Sequence, residues 1–512
     1  RLITLRSAVQ IRPPQPKMTK KKLLVLVVAY NHEKFIEKVL RRIKQDITQN
    51  YEIEILINDD SSTDRTLEVT KNYIEKNKDK NFKYTILSNP ENQGYGGNQK
   101  IGFLYAIKNK FDYVALLHGD GQYAPEYLDR LTKPLDQEDI DAVFGSRMLD
   151  KGGALKGGMP LYKFIGNKVL TFYQNFMFSK SFSEFHSGYR VYKVNSLKKI
   201  PFYLNSNDHS FDNEIIAQFL IANLKIKEIA IPTYYGDEIS YVNGFKYAYQ
   251  VFKINMKAKL QKLGIFYDKK FDCGVDVREN YVTKTSFEST HSKALNIIKE
   301  NTNILDIGCN KGEIGSMLKN KNCNVSGIDI FDKNQIKELD NYIQCDLDQS
   351  LPELNYEELD YILILDVIEH LKNPELFMSR LKNKLKYNEK VTILISTPNV
   401  AFIVIRLMLL IGMFNYGSRG ILDRTHMRLF TFSSFNNFIE QSNFNIRKIY
   451  GIPAPFELAL GNNIISKILT KINLFLIKIS KSLFSFQIFF EISPKVSLDR
   501  LLEKAKSNAS NK

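Results

Sequence analysis

Apolar residues in the first half of the chain occur in short, nearly continuous runs, separated by stretches with helical periodicity. The run LLVLVVAY (23–30) is typical of a parallel strand, because such strands are buried on both faces. From Phe35 to Ile43 the apolar residues instead fall on one face of a helix. Further strands are predicted at 52–58, 83–88 and 112–118. Strands that alternate with helices predict a parallel, doubly wound α/β sheet.

The same alternation starts again in the second half. A polar stretch containing glycine and aspartate separates the two patterns at 262–285, and a chain of 512 residues is too long for one core. Strands are predicted here at 303–309, 324–329, 342–347, 360–366 and 391–396. We therefore predict two α/β domains, divided into a disordered extension at 1–21, a first domain at 22–262, a linker at 263–282, a second domain at 283–495 and a polar tail at 496–512.

The chain is basic, with 72 lysines and arginines against 56 acidic residues and a net charge of +16. Such an excess fits nucleic acid, an anionic membrane or an anionic substrate. Because no dense basic block with interleaved aromatic residues occurs, we expect no nucleic-acid partner. The most apolar stretch, 400–414, is too short to span a membrane and contains Arg406.

Cysteine usage indicates a reducing compartment. The four cysteines form no Cys-x-x-Cys pair, and no histidine cluster accompanies them at zinc spacing. Reduced thiols are typical of a cytosolic protein. We therefore predict a cytoplasmic location, with peripheral contact at the inner face of the cytoplasmic membrane as an additional prediction.

Polar motifs follow several strands of the first domain, where ligands of open α/β sheets bind. "YNHE" follows the first strand, "NDDSSTDRT" the second and "HGDGQ" the fourth. The glycine-rich turn "NQGYGGN" precedes a helix and could bring backbone close to a ligand. These motifs predict a ligand site at the carboxyl edge of the sheet.

Seven motifs in order resemble the family 2 glycosyltransferases with the GT-A fold, most closely the dolichyl-phosphate mannose synthases and related polyprenyl-phosphate enzymes. They are "VVAYNHE", "INDDSSTDRT", "NQGYGGN", "GDGQ", "FGSRM", "HSGYRVYK" and "FDNEIIAQF", within residues 22–262. The resemblance implies a nucleotide-sugar donor, a divalent metal (Mn²⁺ or Mg²⁺), and a glycan or polyprenyl-phosphate acceptor.

The resemblance also implies roles for individual residues. Tyr30, Glu33 and Asp60 would bind the nucleotide. Asp120 would ligate the metal that bridges the diphosphate, with Gln122 at a further metal-side position.

Phosphate and acceptor chemistry involve a second group of residues. Arg147 and Arg190 would meet phosphate charge, because the guanidinium fork binds phosphate through two hydrogen bonds. A phosphate acceptor needs no general base, whereas a sugar hydroxyl needs a carboxylate. Asp212 and Glu214 are the candidate bases.

The first domain departs from the family pattern at His118. The family has Asp-x-Asp, but this chain has His118-Gly119-Asp120. Because strand side chains alternate, His118 points to the same side as Asp120. An imidazole ligand favours manganese over magnesium. Alternatively, His118 only forms a hydrogen bond with the backbone, and both interpretations stay open.

A strand, a glycine turn and a helix start are predicted in ILDIGCNKG (304–312), and Asp329 ends the next strand. With "CDL" at Asp346, "LDVIEHL" (365–371) and "GILDRTHMRLFT" (420–431), this pattern resembles the class I S-adenosylmethionine-dependent methyltransferases, which have a Rossmann-like fold. The resemblance covers about 283–495 and implies cofactor binding by Asp306, Gly308, Gly312, Asp329, Asp346 and Asp366.

One residue of the glycine turn departs from this family. Asn310 stands where the family usually has glycine, but asparagine also tolerates a left-handed backbone. A dinucleotide-dependent oxidoreductase is disfavoured, because the chain lacks the expected G-x-G-x-x-G at this turn.

If the methyl acceptor is a hydroxyl, a base assists its attack. His370 and His426 are the candidates, and a structural role is an equal alternative for each. We predict a bifunctional enzyme that builds a methylated glycan or glycolipid. The alternative is a polyprenyl-phosphate glycosyltransferase whose methyltransferase domain is non-catalytic or acts on an unrelated substrate.

The segment IISKILTKINLFLIKISKSL (464–483) predicts a basic amphipathic helix. One interpretation is contact with a membrane surface. The other, which we favour from the sequence, is a helix that covers the sheet with its apolar side and exposes its lysines.

Overall fold

The computed structural model describes residues 20–77, 82–137, 139–234, 244–262, 267–273, 287–336, 339–496 and 501–502. The predicted extension lies outside the described residues up to position 19, as do most of the predicted linker and polar tail. The chain divides into two compact units, one ending at Ile254 and the other beginning at Asn255, with Met177–Ser179 grouped with the second. Two domains were predicted, and their exact boundaries stay predictions.

The first unit is built on a seven-stranded sheet with the order β3-β2-β1-β4-β6-β5-β7. Its strands are β1 (Lys21–Ala29), β2 (Tyr51–Asp59), β3 (Lys83–Ser88), β4 (Tyr113–His118), β5 (Ala142–Ser146), β6 (Arg190–Lys193) and β7 (Ile226–Ala230). Its helices are α1 (Ile36–Arg42), α2 (Thr66–Lys76), α3 (Gly94–Lys108), α4 (Leu128–Thr132), α5 (Pro134–Gln137), α6 (Gly153–Lys156), α7 (Leu161–Phe178), α8 (Val194–Leu197) and α9 (Phe211–Ile221), followed by α10 (Gly244–Lys262), which runs across the division.

Strand register brings three loop starts of the first unit to one edge of the sheet. In the parallel pairs, Ala29 lies beside Asp59, and Val28 lies beside His118. β1 is almost fully buried, as its apolar run predicted. The sheet is not wholly parallel as predicted, because β6 runs antiparallel to β4 and β5.

The second unit has a seven-stranded sheet with the order β10-β9-β8-β11-β12-β14-β13. Its strands are β8 (Asn303–Ile307), β9 (Asn324–Asp329), β10 (Asn341–Gln344), β11 (Tyr361–Leu365), β12 (Thr392–Pro398), β13 (Phe444–Ile452) and β14 (Gln487–Pro494). Its helices are α11 (Thr290–Ile297), α12 (Glu313–Lys319), α13 (Pro374–Lys384), α14 (Ile403–Leu410), α15 (Phe432–Gln441), α16 (Phe456–Leu460), α17 (Ile464–Ile479) and α18 (Lys481–Phe484).

The carboxyl ends of the second unit's parallel strands also share one edge. β8 lies between β9 and β11, with Ile307 paired to Ile328 and Ile364. At the far side, β14 runs antiparallel to both of its neighbours, β12 and β13. No helix in the described parts of the chain is both long and apolar enough to cross a bilayer.

Candidate functional site

The loops after β1 and β2 are tied together by side chains of the predicted motifs. Asn31 and Ser61 have left-handed backbone, with φ of 56° and 60°. The Asn31 Oδ1 accepts the Thr63 backbone N–H at 2.8 Å. The Glu33 carboxylate accepts the Arg65 backbone N–H at 3.1 Å, so Glu33 has a structural contact in addition to its predicted nucleotide role.

Asp60 is buried and joins β2 to the turn before α3. Its Oδ1 accepts the Asn89 amide at 2.7 Å and the Gln93 backbone N–H at 2.9 Å. Tyr30, in contrast, is 43% exposed. Nucleotide binding by both residues stays a prediction, with Asp60 rigidly held and Tyr30 open to solvent.

The glycine-rich turn packs against protein rather than surrounding an open ligand position. A Cβ on Gly94 would lie 2.6 Å from the Asn207 carbonyl oxygen, and one on Gly96 would lie 2.4 Å from that of Ser206. The Gly96 N–H donates to the Asn207 oxygen at 2.7 Å. These glycines therefore allow close backbone packing against the loop at Ser206 and Asn207, and contact of the turn with a ligand stays a prediction.

His118 belongs to a buried polar chain. Its Nε2 lies 3.2 Å from the Tyr95 hydroxyl, which donates to the Asp212 Oδ2 at 2.9 Å. Burial lowers the pKa of His118 and raises the pKa of Tyr95 well above its ordinary value. The ring packs edge-on against Tyr95 and Tyr123. Neither alternative for His118 anticipated this partner, since the hydrogen bond is to a side chain and not to the backbone.

Arg190 is the next member of the buried row of polar side chains formed by His118, Tyr95 and Asp212. It is fully buried, with Nη1 3.2 Å from the Asp212 Oδ1, and it donates to the backbone oxygens of Ser187 and Phe185. Arg147 is paired with the buried Glu184. Both guanidinium groups are thus bound within the protein, and their contact with phosphate stays a prediction.

The two candidate bases differ in what their carboxylates contact. Glu214 is buried and accepts the Ser206 backbone N–H at 2.6 Å and the Ser206 hydroxyl at 2.8 Å. The Asp212 side chain keeps 13% of its surface exposed beside Tyr95. Glu214 thus also holds the loop at Ser206, and both residues stay candidate bases, with Asp212 the more accessible of the two.

Asp120 lies at the turn that follows β4. Its Oδ1 accepts the Gln122 backbone N–H at 3.0 Å, and Gly121 has a φ of 81°. His32, to which the motif analysis gave no role, is a neighbour, since its buried Nδ1 lies 2.8 Å from a Cβ built on Gly119 and has no hydrogen-bond partner in the described structure. Its place in the motif "YNHE" was the feature of the sequence that could have identified His32. A carboxylate and an imidazole are ligand types that a manganese-type ion accepts, and metal binding by Asp120 stays a prediction.

In the second unit, the glycine turn after β8 has the predicted left-handed residues. Gly308, Asn310 and Gly312 have φ of 77°, 50° and 80°. Asp329 holds the turn, because its Oδ2 accepts the Asn310 backbone N–H at 2.7 Å. Asparagine therefore substitutes for the usual glycine without loss of the turn.

Asp306 is buried under this turn. Burial, and next the charge of Asp329, raise the pKa of Asp306 to about 7. The Asp306 Oδ2 and the Asn310 Oδ1 are buried acceptors without a hydrogen-bond donor in the described residues. A ligand with a cationic ammonium group would supply donors to such oxygens, so these residues fit S-adenosylmethionine.

Asp346 and Asp366 have local partners. Asp346 accepts the Asp348 backbone N–H at 3.0 Å and the Gln349 amide at 2.9 Å. Asp366 has left-handed backbone, with a φ of 56°, and accepts from Ser396 and Gln487, each at 2.6 Å. These contacts show that Asp366 organises the end of β11.

The structure brings His370 and His426 together, with ring centroids 4.8 Å apart. His370 follows β11 in the short 3-10 helix Ile368–His370, and His426 lies in the loop before α15. Glu369, which the sequence analysis did not assign, lies beside them and is 1% exposed. Its position next to His370 in "VIEH" was the feature of the sequence that could have identified Glu369.

Comparison with known proteins gives relatives for the first unit. An uncharacterized protein of Methanocaldococcus jannaschii is 32% identical over 247 residues, covering 48% of this chain and 95% of that protein. The UDP-N-acetylglucosamine–dolichyl-phosphate N-acetylglucosaminyltransferase of Methanococcus voltae is 27% identical, and the match covers 47% of this chain and 98% of that protein. The polyprenol monophosphomannose synthase of Mycolicibacterium smegmatis is 23% identical, with coverage of 43% and 78%.

Family models match both units and confirm the predicted resemblances and folds. Residues 24–201 match glycosyl transferase family 2, and residues 281–449 match a methyltransferase domain. Both domains indicate group transfer, as predicted. The chain is therefore a transferase that belongs to glycosyl transferase family 2 and carries a second, methyltransferase domain.

Proposed function

We propose that the first unit transfers a sugar from a nucleotide sugar to a polyprenyl-phosphate or glycan acceptor, with inversion and with a divalent metal. The proposal rests on the convergence of Asp60, His118 and Asp120 at the carboxyl edge of one sheet. The names of two relatives, which specify dolichyl phosphate and polyprenol, favour the lipid-phosphate acceptor.

In this mechanism, Asp120 and His118 would hold the metal, with Gln122 beside them. The bound metal would neutralise charge on the leaving nucleoside diphosphate. The acceptor oxygen bonds to the anomeric carbon from the opposite face, while the bond to the diphosphate breaks and its electron pair stays on the diphosphate oxygen. A hydroxyl acceptor would pass its proton to Asp212, whereas a phosphate acceptor already carries the nucleophilic charge.

We further propose that the second unit transfers a methyl group from S-adenosylmethionine to a sugar or related acceptor. Asp306, Asp329 and the turn at Gly308 would bind the cofactor, which supplies an electrophilic methyl group on a sulfonium. The acceptor oxygen loses a proton and bonds to the methyl carbon, while the carbon–sulfur electron pair returns to sulfur. His370 or His426 would accept the proton, in line with the close placement of the two rings.

Two substitutions test the two activities separately. Asp120→Ala is expected to abolish glycosyl transfer and preserve methyl transfer, and Asp306→Ala is expected to do the reverse. Asp129→Ala, on the surface helix α4, is a matched control for both. Glycosyl transfer that survives Asp120→Ala and chelation would exclude the metal site. Methyl transfer that survives Asp306→Ala would exclude the cofactor site, and absence of methyl transfer from the wild type with every sugar acceptor would favour the non-catalytic alternative.

Peripheral membrane contact through α17 is the third part of the proposal. Its outward stripe consists of apolar side chains that are half or more exposed, namely Ile464, Ile468, Ile472, Phe475 and Ile479. The protein-facing side instead carries Ser466, Thr470, Asn473 and Ile477. The favoured arrangement, a helix that covers the sheet with its apolar side, is found only in part: Ile477 is buried and lies against Gly451 of β13, whereas the residues of the stripe face outward.

Charge identifies the surface that would cover this stripe. Lys467, Lys471 and Lys478 are exposed along one flank of the stripe, and the helix contains no acidic residue. A helix with an apolar face and a basic flank lies in the plane of an anionic bilayer. The chain's net charge of +16 adds attraction to such a surface.

Vesicle binding tests the membrane contact. Wild-type protein is expected to sediment with vesicles containing anionic phosphatidylglycerol, to release at high salt, and to bind phosphatidylcholine vesicles weakly. Ile468→Ser with Phe475→Ser should abolish binding, whereas the control Leu376→Ser, on the exposed side of α13, should not. Loss of a dimer in the double variant, with no vesicle binding by the wild type, would assign the stripe to a second copy and overturn the proposal.

A further inference from the structure

Glu369, His370 and His426 converge in the second unit in a way that the proposed methyl transfer does not require. One ligand atom from each of the three side chains lies within 4.8 Å of the others. In the described part of the chain, this is the single group of three or more His, Cys, Asp or Glu side chains with such a geometry. A first-row divalent metal such as zinc binds nitrogen and oxygen ligands at about 2.0–2.2 Å, so the three side chains would move closer together around a bound ion.

Backbone carbonyls determine which nitrogen of each ring is available. The His370 Nδ1 lies 3.2 Å from the Thr425 oxygen, and the His426 Nδ1 lies 3.0 Å from the Ile421 oxygen. A carbonyl oxygen only accepts, so each Nδ1 carries the proton and donates. Each neutral ring therefore keeps its lone pair on Nε2. An Nδ1–H bonded to a carbonyl is the usual arrangement of a metal-binding histidine.

The two segments that carry these side chains are fastened together. The Met427 and Arg428 backbone N–H groups both donate to the backbone carbonyl oxygen of Glu369, at 2.8 and 3.1 Å. With the His370–Thr425 bond, three hydrogen bonds hold the loop of His426 against the turn after β11. The three side chains are thus positioned by backbone contacts before any ion binds, which reduces the ordering cost of binding.

The cluster lies at the same sheet edge as the cofactor turn. β11 pairs with β8 in parallel, and a Cβ on Gly308 would lie 2.4 Å from the Val367 Cγ2. The loop before the cluster therefore touches the turn that would bind the cofactor. An ion held by the cluster would be close to the place where a methyl acceptor meets its donor.

We propose that Glu369, His370 and His426 form a divalent-metal site that binds a hydroxyl oxygen of the methyl acceptor. Two imidazoles and one carboxylate select manganese, iron(II), cobalt or zinc over magnesium, which prefers oxygen ligands. In this arrangement the ion takes over the role given above to His370 or His426 as a base: it lowers the pKa of the bound hydroxyl, whose proton leaves to solvent. The oxygen then bonds to the methyl carbon, and the carbon–sulfur electron pair goes to sulfur. The acceptor role rests on the proposed methyl transfer, whereas metal binding does not.

Cobalt binding to the full chain tests the site directly. A background of His118→Asn with Asp120→Asn first removes the expected metal position of the other unit. In this background we expect one equivalent of Co²⁺ by equilibrium dialysis, with visible absorption bands of a nitrogen- and oxygen-ligated ion. Adding Glu369→Gln, His370→Asn or His426→Gln should each weaken binding about 10–100-fold or more. His209→Gln, which removes an exposed imidazole, is the control.

The outcomes separate metal binding from methyl transfer. Equal Co²⁺ binding in all three variants and the control would overturn the site, provided that far-UV circular dichroism shows folded protein; the near-isosteric Glu369→Gln guards against misfolding. In wild type, metal removal should reduce methyl transfer at least tenfold without weakening S-adenosylmethionine binding. Cobalt bound by the cluster with methyl transfer unaffected by chelation would overturn the acceptor role. A protein without methyl transfer would still reveal the metal site by dialysis.

Discussion

The Tyr95 hydroxyl lies 3.2 Å from the His118 Nε2 and donates its one proton to Asp212 at 2.9 Å. Because that proton is engaged by a carboxylate, the hydroxyl can only accept from His118. The neutral imidazole, favoured by burial that lowers the His118 pKa, therefore carries its proton on Nε2. Its Nδ1 keeps the lone pair that could reach a metal.

Removing the Tyr95 hydroxyl should impair glycosyl transfer more than stability. Tyr95→Phe removes the hydroxyl that fixes the proton of His118 on Nε2. We expect kcat for glycosyl transfer to fall about 10–100-fold, as for other residues that orient a metal ligand. The free energy of unfolding should fall by about 1 kcal/mol. Tyr105→Phe, which removes a hydroxyl bonded to Glu54, is the control and should leave kcat unchanged. An unchanged kcat in Tyr95→Phe would show that the tautomer is irrelevant.

Metal preference should follow the residue at position 118. His118→Asp restores the family's carboxylate, and oxygen ligands favour magnesium. The ratio of glycosyl transfer with Mg²⁺ to that with Mn²⁺ is expected to rise about tenfold in this variant. Asn109→Asp, at the exposed C-cap of α3, should leave the ratio as in wild type. No shift in His118→Asp would mean that His118 is not a ligand.

Arg190 should contribute to stability rather than to donor binding. Arg190→Gln leaves carbonyl groups and Asp212 without their cation, and loss of one partner of a buried pair costs about 3–5 kcal/mol. Arg42→Gln, at the half-exposed pair with Glu126, should cost about 1 kcal/mol or less. Urea unfolding measures both. A rise in KM for the nucleotide sugar with unchanged stability would support the phosphate role of Arg190.

Asp306 should make stability depend on pH. Its folded-state pKa of about 7 lies above the ordinary 3.8, because the buried carboxyl is favoured in its protonated form. Its contribution to the free energy of unfolding is therefore fully present below pH 3.8 and is lost as pH rises through 7. At about 1.4 kcal/mol per pH unit, the loss is about 4 kcal/mol. Asp306→Asn should thus be more stable than wild type at pH 8, with the gap narrowing towards pH 5.

Asp340 supplies a control of opposite sign. A hydrogen bond from the Val325 backbone N–H lowers the pKa of Asp340, so its contribution is present at neutral pH and is lost on acidification. Asp340→Asn should therefore be less stable than wild type at pH 7, with the difference shrinking at low pH. Thermal unfolding of both variants across pH would show the two opposite trends, and parallel trends would contradict the assignment of Asp306.

Cofactor affinity should rise with pH because the Asp306 carboxyl, whose pKa is about 7, ionises over this range. A cationic ammonium group is attracted to Asp306 only when the Asp306 carboxylate is ionised, so the Kd for S-adenosylmethionine should fall between pH 6 and about pH 7.5, where an α-amino group of pKa about 7.7–8.0 is still mostly protonated. Isothermal titration calorimetry would measure this change, which Asp306→Asn should remove. A pH-independent Kd in wild type would mean that Asp306 does not face the cofactor's cation.

Periodicity and motifs were enough to establish the two α/β domains and the strand ends that carry Asp60, Asp120 and Asp306. An apolar run of the parallel-strand type fixes which residues are buried, and the residues after it must then lie at the carboxyl edge. That is why the families and the left-handed turn at Asn310 were predictable from the printed residues.

Only the tertiary structure decided which partner each buried polar group meets. Arg190 and Glu214 belong to motifs of a ligand site, yet they bond to carbonyls and to Ser206, because long-range contacts are not encoded in local spacing. The antiparallel β6, the convergence of Glu369 with His426, and the outward apolar stripe of α17 have the same cause. Each depends on how separate segments pack, and hydrophobic patterning specifies that a face is apolar without specifying what covers it.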